Sequence, residues 1–166
     1  MTESFAQALA AFTERAGLDP FVFDERGCCL VPLDEGVLHL SLRDDPETLI
    51  LSCTLGTVAP EARGEVFAQL LAANLYWGET AGGTLAWQAE LEEVLFQYAQ
   101  PTEALDAERL AQLFQDYLAV AQQWRLRLAE LAGEAAEQAA KDRAAAEELA
   151  DEPDHAPGEE GMVIIR

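Results

Sequence analysis

Residues 66–106 read VFAQLLAANLYWGETAGGTLAWQAELEEVLFQYAQPTEALD, and the order of signals within them decides the architecture. Val66, Phe67, Leu70, Leu71 and Leu75 recur at helical spacing, which predicts an amphipathic helix from near Pro60 to about Trp77. Pro60 suits the first helical turn, where a missing N–H costs nothing. Gly82-Gly83 ends the pattern and, with no Cβ, lets the chain turn away through positive φ. Leu85 and Trp87, then Val94, Phe96 and Tyr98, alternate with period two and predict a hairpin over Thr84–Ala89 and Glu93–Ala99. Asp106 stands where an N-cap belongs. It precedes a stripe of Leu110, Leu113, Phe114, Tyr117, Ala121, Trp124, Leu128 and Leu131 that holds for about six helical turns.

Working outward, Glu3–Ala16 carries Phe5, Ala8, Leu9, Phe12 and Ala16 on one stripe, with Gly17 as the stop and Pro20 beyond it. That stripe looks too rich for a helix covering only a small sheet, so part of it is expected to face a partner. Short runs at Phe21–Phe23 and Cys28–Pro32, then alternating runs at Val37–Leu42 and Thr48–Leu55, predict strands joined by hairpin-length connections. The expected fold is therefore α+β in the order α-β-β-β-α-β-β-α, a twisted antiparallel sheet with helices packed on it. Alternation in the strands implies one buried face and one open face.

The chain of 166 residues is long enough for one domain, and half of it is hydrophobic. A formal charge of −21 argues against nucleic acid and anionic membranes as partners, because their phosphates would repel such a surface. Acidity also keeps in solution a protein that exposes apolar surface. No run of about 18 apolar residues predicts a membrane span, and the start of the chain does not read as a secretory signal. The three cysteines, two of them adjacent, read as free thiols of a reducing cytoplasm. Composition divides the chain into a folded unit, 1–132, and an acidic Ala/Glu-rich C-terminal tail, 133–166, partly helical or disordered. Past Asp151 the tail is polar, acidic and Pro-containing and is expected to contribute little to folding. It ends on a small apolar patch, Met162–Ile165.

Chemistry-bearing constellations are sparse. His39 falls on a strand and His155 in the tail, so they predict no metal site and no Cys/His nucleophile pair. Glu90, Glu92 and Glu93, like Asp44, Asp45 and Glu47, cluster at turns and read as solvated carboxylates rather than an acid/base pair. Gly82-Gly83 has no accompanying Walker lysine and is no phosphate loop. Trp77, Trp87 and Trp124 sit among leucines at the period of their elements, as packing residues do. The residues imply no catalytic centre, no metal and no cofactor.

The ordered set LL-x-ANL, Gly pair, hairpin, LD and a helix ending W-R-x-x-L resembles the class I chaperones of bacterial type III secretion, the Tir-chaperone-like family. DERGCCLVPLDEG resembles that family's early D-x-x-G segment. The second hairpin departs from it, with Gln88-Ala89-Glu90-Leu91-Glu92 where an Asp- and Gly-containing turn is usual. The resemblance implies a cytoplasmic bacterial homodimer whose seam involves Phe67, Leu70, Leu71, Leu75, Trp77, Trp87 and Phe96. It implies apolar grooves that take an N-proximal segment of a secreted effector or translocator in extended form. Phe5, Leu9, Phe12, Val22 and Ile50 are the candidate contacts, and the secretion ATPase is a further expected partner. The alternative is a regulatory partner-switch protein of the same fold that sequesters an anti-activator.

Overall fold

The computed structural model describes residues 1–44 and 46–150, without the side chains of 146–150. Its elements are α1 (Glu3–Ala16), β1 (Cys28–Leu33), β2 (Gly36–Asp44), β3 (Glu47–Thr57), α2 (Arg63–Ala73), β4 (Thr84–Gln88), β5 (Glu93–Pro101) and α3 (Ala107–Ala150). All five strands form one antiparallel sheet of order β1-β2-β3-β5-β4, which leaves β1 and β4 as its edges. The α+β class and the element order are those predicted.

The period-two leucines set the layers. Leu38 and Leu40 of β2, Leu49, Leu51, Cys53 and Leu55 of β3, and Val94 and Phe96 of β5 are all buried on one face. α3 covers that face with Leu110, Phe114, Tyr117, Ala121, Trp124 and Leu128, each buried. Its start is fixed by Asp106, whose Oδ1 accepts from the Arg109 backbone N–H at 2.8 Å, as an N-cap should. Two polar atoms on the buried stripe have partners: Tyr117 donates to the Phe96 carbonyl at 2.8 Å, and Trp124 Nε1 to the Glu79 carbonyl at 2.9 Å. α1 packs chiefly against α3, and ends where Gly17, at φ 65°, turns left-handed.

Two local features differ from the sequence reading. Phe21–Phe23 is irregular chain and not strand; its Phe21 ring lies 6.2 Å from Phe12 and 5.8 Å from Phe114, so the apolar run is used in packing. The helix expected to reach Trp77 opens as a 3-10 turn at Pro60–Ala62 and stops at Ala73; Leu75–Trp77 is a separate turn, with Tyr76 and Trp77 at φ 53° and 54°. Asn74 is the physical reason, since its side chain bonds to the backbone of β4 across the turn. α3 passes Gly133 unbroken, and Ala135 is still buried. The His155, post-Asp151 and Met162–Ile165 expectations lie outside the described residues, as does Asp45.

The glycine pair serves two needs. Gly82 adopts φ +91°, whereas a Cβ on Gly83 would stand 2.3 Å from the Phe96 ring.

Glu47 is not the solvated turn carboxylate expected. It accepts from the Thr2 backbone N–H at 2.6 Å, the Thr2 hydroxyl at 2.9 Å and the Thr102 hydroxyl at 2.7 Å, tying the start of α1 and the approach to α3 to β3. Burial pushes its pKa up, but the hydrogen bonds from Thr102 and Thr2 outweigh it and hold the carboxyl below the ordinary value. A carboxylate whose pKa falls on folding adds stability above its unfolded pKa of about 4.3, and loses it as pH drops through the folded value. Glu47→Gln should therefore cost about 1 kcal/mol in urea unfolding at pH 7. The difference should shrink and vanish as pH falls through and below the folded value; an equal loss at pH 7 and in acid would exclude the carboxylate's charge as the cause.

Candidate functional site

With α3 over one sheet face, exposed large apolar side chains of the described residues cluster in two places, with Met1, Val37, Leu91 and Leu126 exposed singly elsewhere. The first is the end of α2 and the turn after it. Leu71, Leu75, Tyr76 and Trp77 are 71%, 66%, 87% and 55% exposed and follow one another within seven residues. Large neighbouring apolar side chains in water mark an interaction surface rather than chance exposure. Beside them Phe67 is half-buried, its ring 4.9 Å from that of Trp87, with the Arg63 guanidinium 5.0 Å over the Trp87 ring.

The second lies along β1. A slot of about 370 Å³ is lined by Leu18, Pro20, Phe21, Val22, Leu30, Val31 and Pro32, with Asp19 and Cys29. Val22 and Leu30 stand out of it at 78% and 61% exposure. The Leu42 N–H donates to the Gly27 carbonyl, so by antiparallel alternation Cys28, Leu30 and Pro32 turn their backbone groups away from β2. Asp24 satisfies Cys28: its Oδ1 accepts from the Cys28 N–H at 2.8 Å, and its own N–H donates to the Cys28 carbonyl at 2.8 Å. The Leu30 N–H and carbonyl have no hydrogen-bond partner among the described residues, and Pro32 offers only a carbonyl. The edge is thus open at Leu30, directly beside the apolar slot. Asp19 lines it, and Asp24, Glu25 and Arg26 are exposed in the turn that leads into β1.

The open sheet face is mixed. Leu30, His39, Ser52 and Gln97 stand in register on it, as do Ser41, Ile50 and Ala99. Half-buried Ile50 stands between Ser41 and Ala99, and exposed Val37 is paired with Pro32, so apolar and polar side chains alternate on this face.

Among the residues predicted to meet a partner, Val22 is exposed on the slot and Ile50 is half-buried on the open face. Phe5, Leu9 and Phe12 are 1%, 4% and 6% exposed, which corrects the expectation that they offer a receptor surface. The richness of their stripe has another cause: α1 lies against α3 as well as the sheet margin, and Phe12 packs on Phe114 with ring centres 5.0 Å apart. Of the seam candidates, Leu71, Leu75 and Trp77 are exposed together, and Phe67 and Trp87 are half-buried beside them. Leu70 and Phe96 are core, at 5% and 1%. Tyr76 and Leu30 were not foreseen. Asn74 as a helix stop would have pointed to Tyr76, whereas Leu30 sits in an apolar run whose two faces the sequence does not distinguish.

Of the three free thiols, only Cys28 is exposed. Cys29 and Cys53 are buried, and burial pushes the Cys29 pKa up, leaving it a poor nucleophile. Among the described residues no cluster of His, Cys, Asp and Glu is placed to hold a metal. No described helix is long and apolar enough to cross a membrane.

The chain belongs to the Tir chaperone protein (CesT) family, whose profile matches residues 7–125. This is a family of chaperones and not a class of enzymes. No curated protein matches the chain. Among solved structures it is similar to the ExsC–ExsE complex, at 23% identity and a TM-score of 0.64, covering 77% of this chain and 97% of that one. The HopA1–SchA chaperone–effector complex aligns at 24% identity and a TM-score of 0.58, over 71% and 90% of the two chains. The ExoT–SpcS complex from Pseudomonas aeruginosa aligns at 18% identity and a TM-score of 0.55, over 74% and 98%. These similarities establish a shared fold.

Because Phe12 is a core residue, Phe12→Ala should lower unfolding stability by about 3 kcal/mol in denaturant titration, through lost packing against Phe21 and Phe114. A loss below about 1 kcal/mol would return α1 to the outer surface.

Proposed function

We propose that the chain is a type III secretion chaperone that acts as a homodimer in the bacterial cytoplasm. It holds an N-proximal segment of a secreted effector or translocator in extended form and keeps it soluble until delivery to the secretion ATPase. The observation that carries this is the apolar slot beside the unpaired Leu30 backbone on β1. An extended segment can place apolar side chains in the slot while its main chain bonds to Leu30, the chemistry of strand addition. Family membership and the fold shared with the HopA1–SchA chaperone–effector complex support the same reading.

Charge defines the segment further. With −21 overall and Asp19 lining the slot, basic residues flanking an apolar anchor are favoured and acidic ones repelled. The Leu71–Trp77 patch is the better surface for a second copy, since a twofold contact sets the same apolar residues against themselves. A stable dimer buries about 1,600 Å² in total, within reach of these side chains and their surroundings.

The test is calorimetric titration with the N-proximal segment of a secreted protein encoded beside this gene. Leu30→Asp and Val22→Asp should each weaken binding about 30-fold or more, as expected of central anchors. Thermal unfolding should stay within a few degrees of wild type, because both side chains are exposed. Undiminished binding by folded variants would remove the slot as the receptor. If the bound protein proves to be a retained anti-activator, the regulatory reading replaces the export one.

A further inference from the structure

The second sheet edge, β4, is satisfied by the chain itself at Gly83 and Leu85, and at Leu85 the closure rests on one asparagine. Cys28 and Leu30 show how an edge residue is either satisfied or open; on β4 the outward positions are Gly83, Leu85 and Trp87, two residues apart. At Leu85, the Asn74 Oδ1 accepts from the backbone N–H at 2.9 Å and the Asn74 Nδ2 donates to the carbonyl at 3.0 Å. A neighbouring strand would make this same pair of bonds. At Gly83, the N–H donates to the Thr80 carbonyl at 2.9 Å, and the carbonyl accepts from the fully buried Thr80 hydroxyl at 2.7 Å. At Trp87 the ring is flanked by Phe67 and Arg63, while the backbone N–H and carbonyl have no hydrogen-bond partner among the described residues. Segment 74–80 thus occupies the place of a sixth strand without being one.

This segment also contains Leu75, Tyr76 and Trp77. The exposed apolar patch and the strand surrogate are adjacent parts of one turn, whose left-handed Tyr76 and Trp77 begin two residues after the Asn74 clamp. An unprotected edge next to an apolar patch that attracts a second copy would invite the two β4 strands to pair and the sheets to fuse. We propose that Asn74 is a positioning residue that closes the β4 edge to intermolecular strand pairing and so confines contact between copies to the Leu71–Trp77 patch. This rests on the proposed self-association of the chain but not on the β1 slot or on any secreted partner.

The experiment compares full-length wild type with Asn74→Ala by sedimentation velocity over a range of concentrations. Exchange of the Leu85 amide is followed alongside. Asn74→Ala should exchange that amide about tenfold faster, having lost its acceptor. It should form species larger than any wild-type one, growing with concentration. Adding Thr84→Lys, a charge at an exposed position of the same edge, should abolish that growth. A purely structural asparagine would lower stability without producing larger species, and lysine at 84 would rescue nothing; either result overturns the proposal, as does unchanged Leu85 exchange. Should Asn74→Ala fail to fold, Asn74→Asp keeps an acceptor for the Leu85 N–H but sets a carboxylate against its carbonyl. It should then give larger species that Thr84→Lys again suppresses, and wild-type behaviour of the folded Asp variant would equally refute the assignment. If wild type itself is a monomer, the patch reading fails, while growth of Asn74→Ala still decides the edge.

Discussion

Everything else in this molecule depends on the contact between the apolar stripe of α3 and the leucine face of the sheet. Burying a large apolar side chain is worth roughly 1.5–3 kcal/mol, and α3 buries Leu110, Phe114, Tyr117, Trp124 and Leu128 in one row. The Tyr117 and Trp124 hydrogen bonds let two polar atoms join that row without an unmet donor. Because α3 occupies the sheet face, α1 docks against α3, and Phe5, Leu9 and Phe12 become core. Among the described residues, the apolar side chains left outside cluster at the end of α2 with the turn after it and along β1, while Leu91 and Leu126 stand singly.

The two sheet edges are treated with similar devices and different outcomes. Asp24 on β1 and Asn74 on β4 each use a side-chain oxygen to accept from an outward N–H, so each imitates part of a strand. Asn74 completes the imitation with its amide, and Thr80 extends it to Gly83. On β1 the imitation stops at Cys28, and Leu30 is left open next to an apolar slot. The chemistry of a carboxamide against that of a carboxylate, which can only accept, suits an edge to be sealed from both sides. A formal charge of −21 limits indiscriminate aggregation of a chain that exposes apolar side chains.

Much of the fold was legible because its signals are local and repeat. The α1 stripe with Gly17, the alternation of Leu49, Leu51, Cys53 and Leu55, the Asp106 cap and the α3 stripe all report periodicity or termination within one element. What was not legible depended on contacts between elements. The sequence shows that Phe5, Leu9 and Phe12 are apolar but not that α3 lies against them, so core was read as receptor. Leu70 and Phe96 were placed at the seam for the same reason. Trp77 was assigned to a helix that Asn74 ends, because the competing bond is to Leu85, a residue on another element. Glu47 looked like one of several turn acids, and its hydrogen bonds come from Thr2 and Thr102, far away in sequence.

We propose that apolar surface left uncovered by α3 is covered by other chains, with the Leu71–Trp77 patch taken by a second copy. Light scattering on the full-length protein at micromolar concentration measures this directly. Wild type should show twice the 18.1 kDa chain mass, and the Leu75→Asp/Trp77→Asp double variant should show a single chain mass with an unchanged far-UV circular dichroism spectrum. A wild-type mass of 18.1 kDa, or a double variant that remains folded and dimeric, would contradict the account.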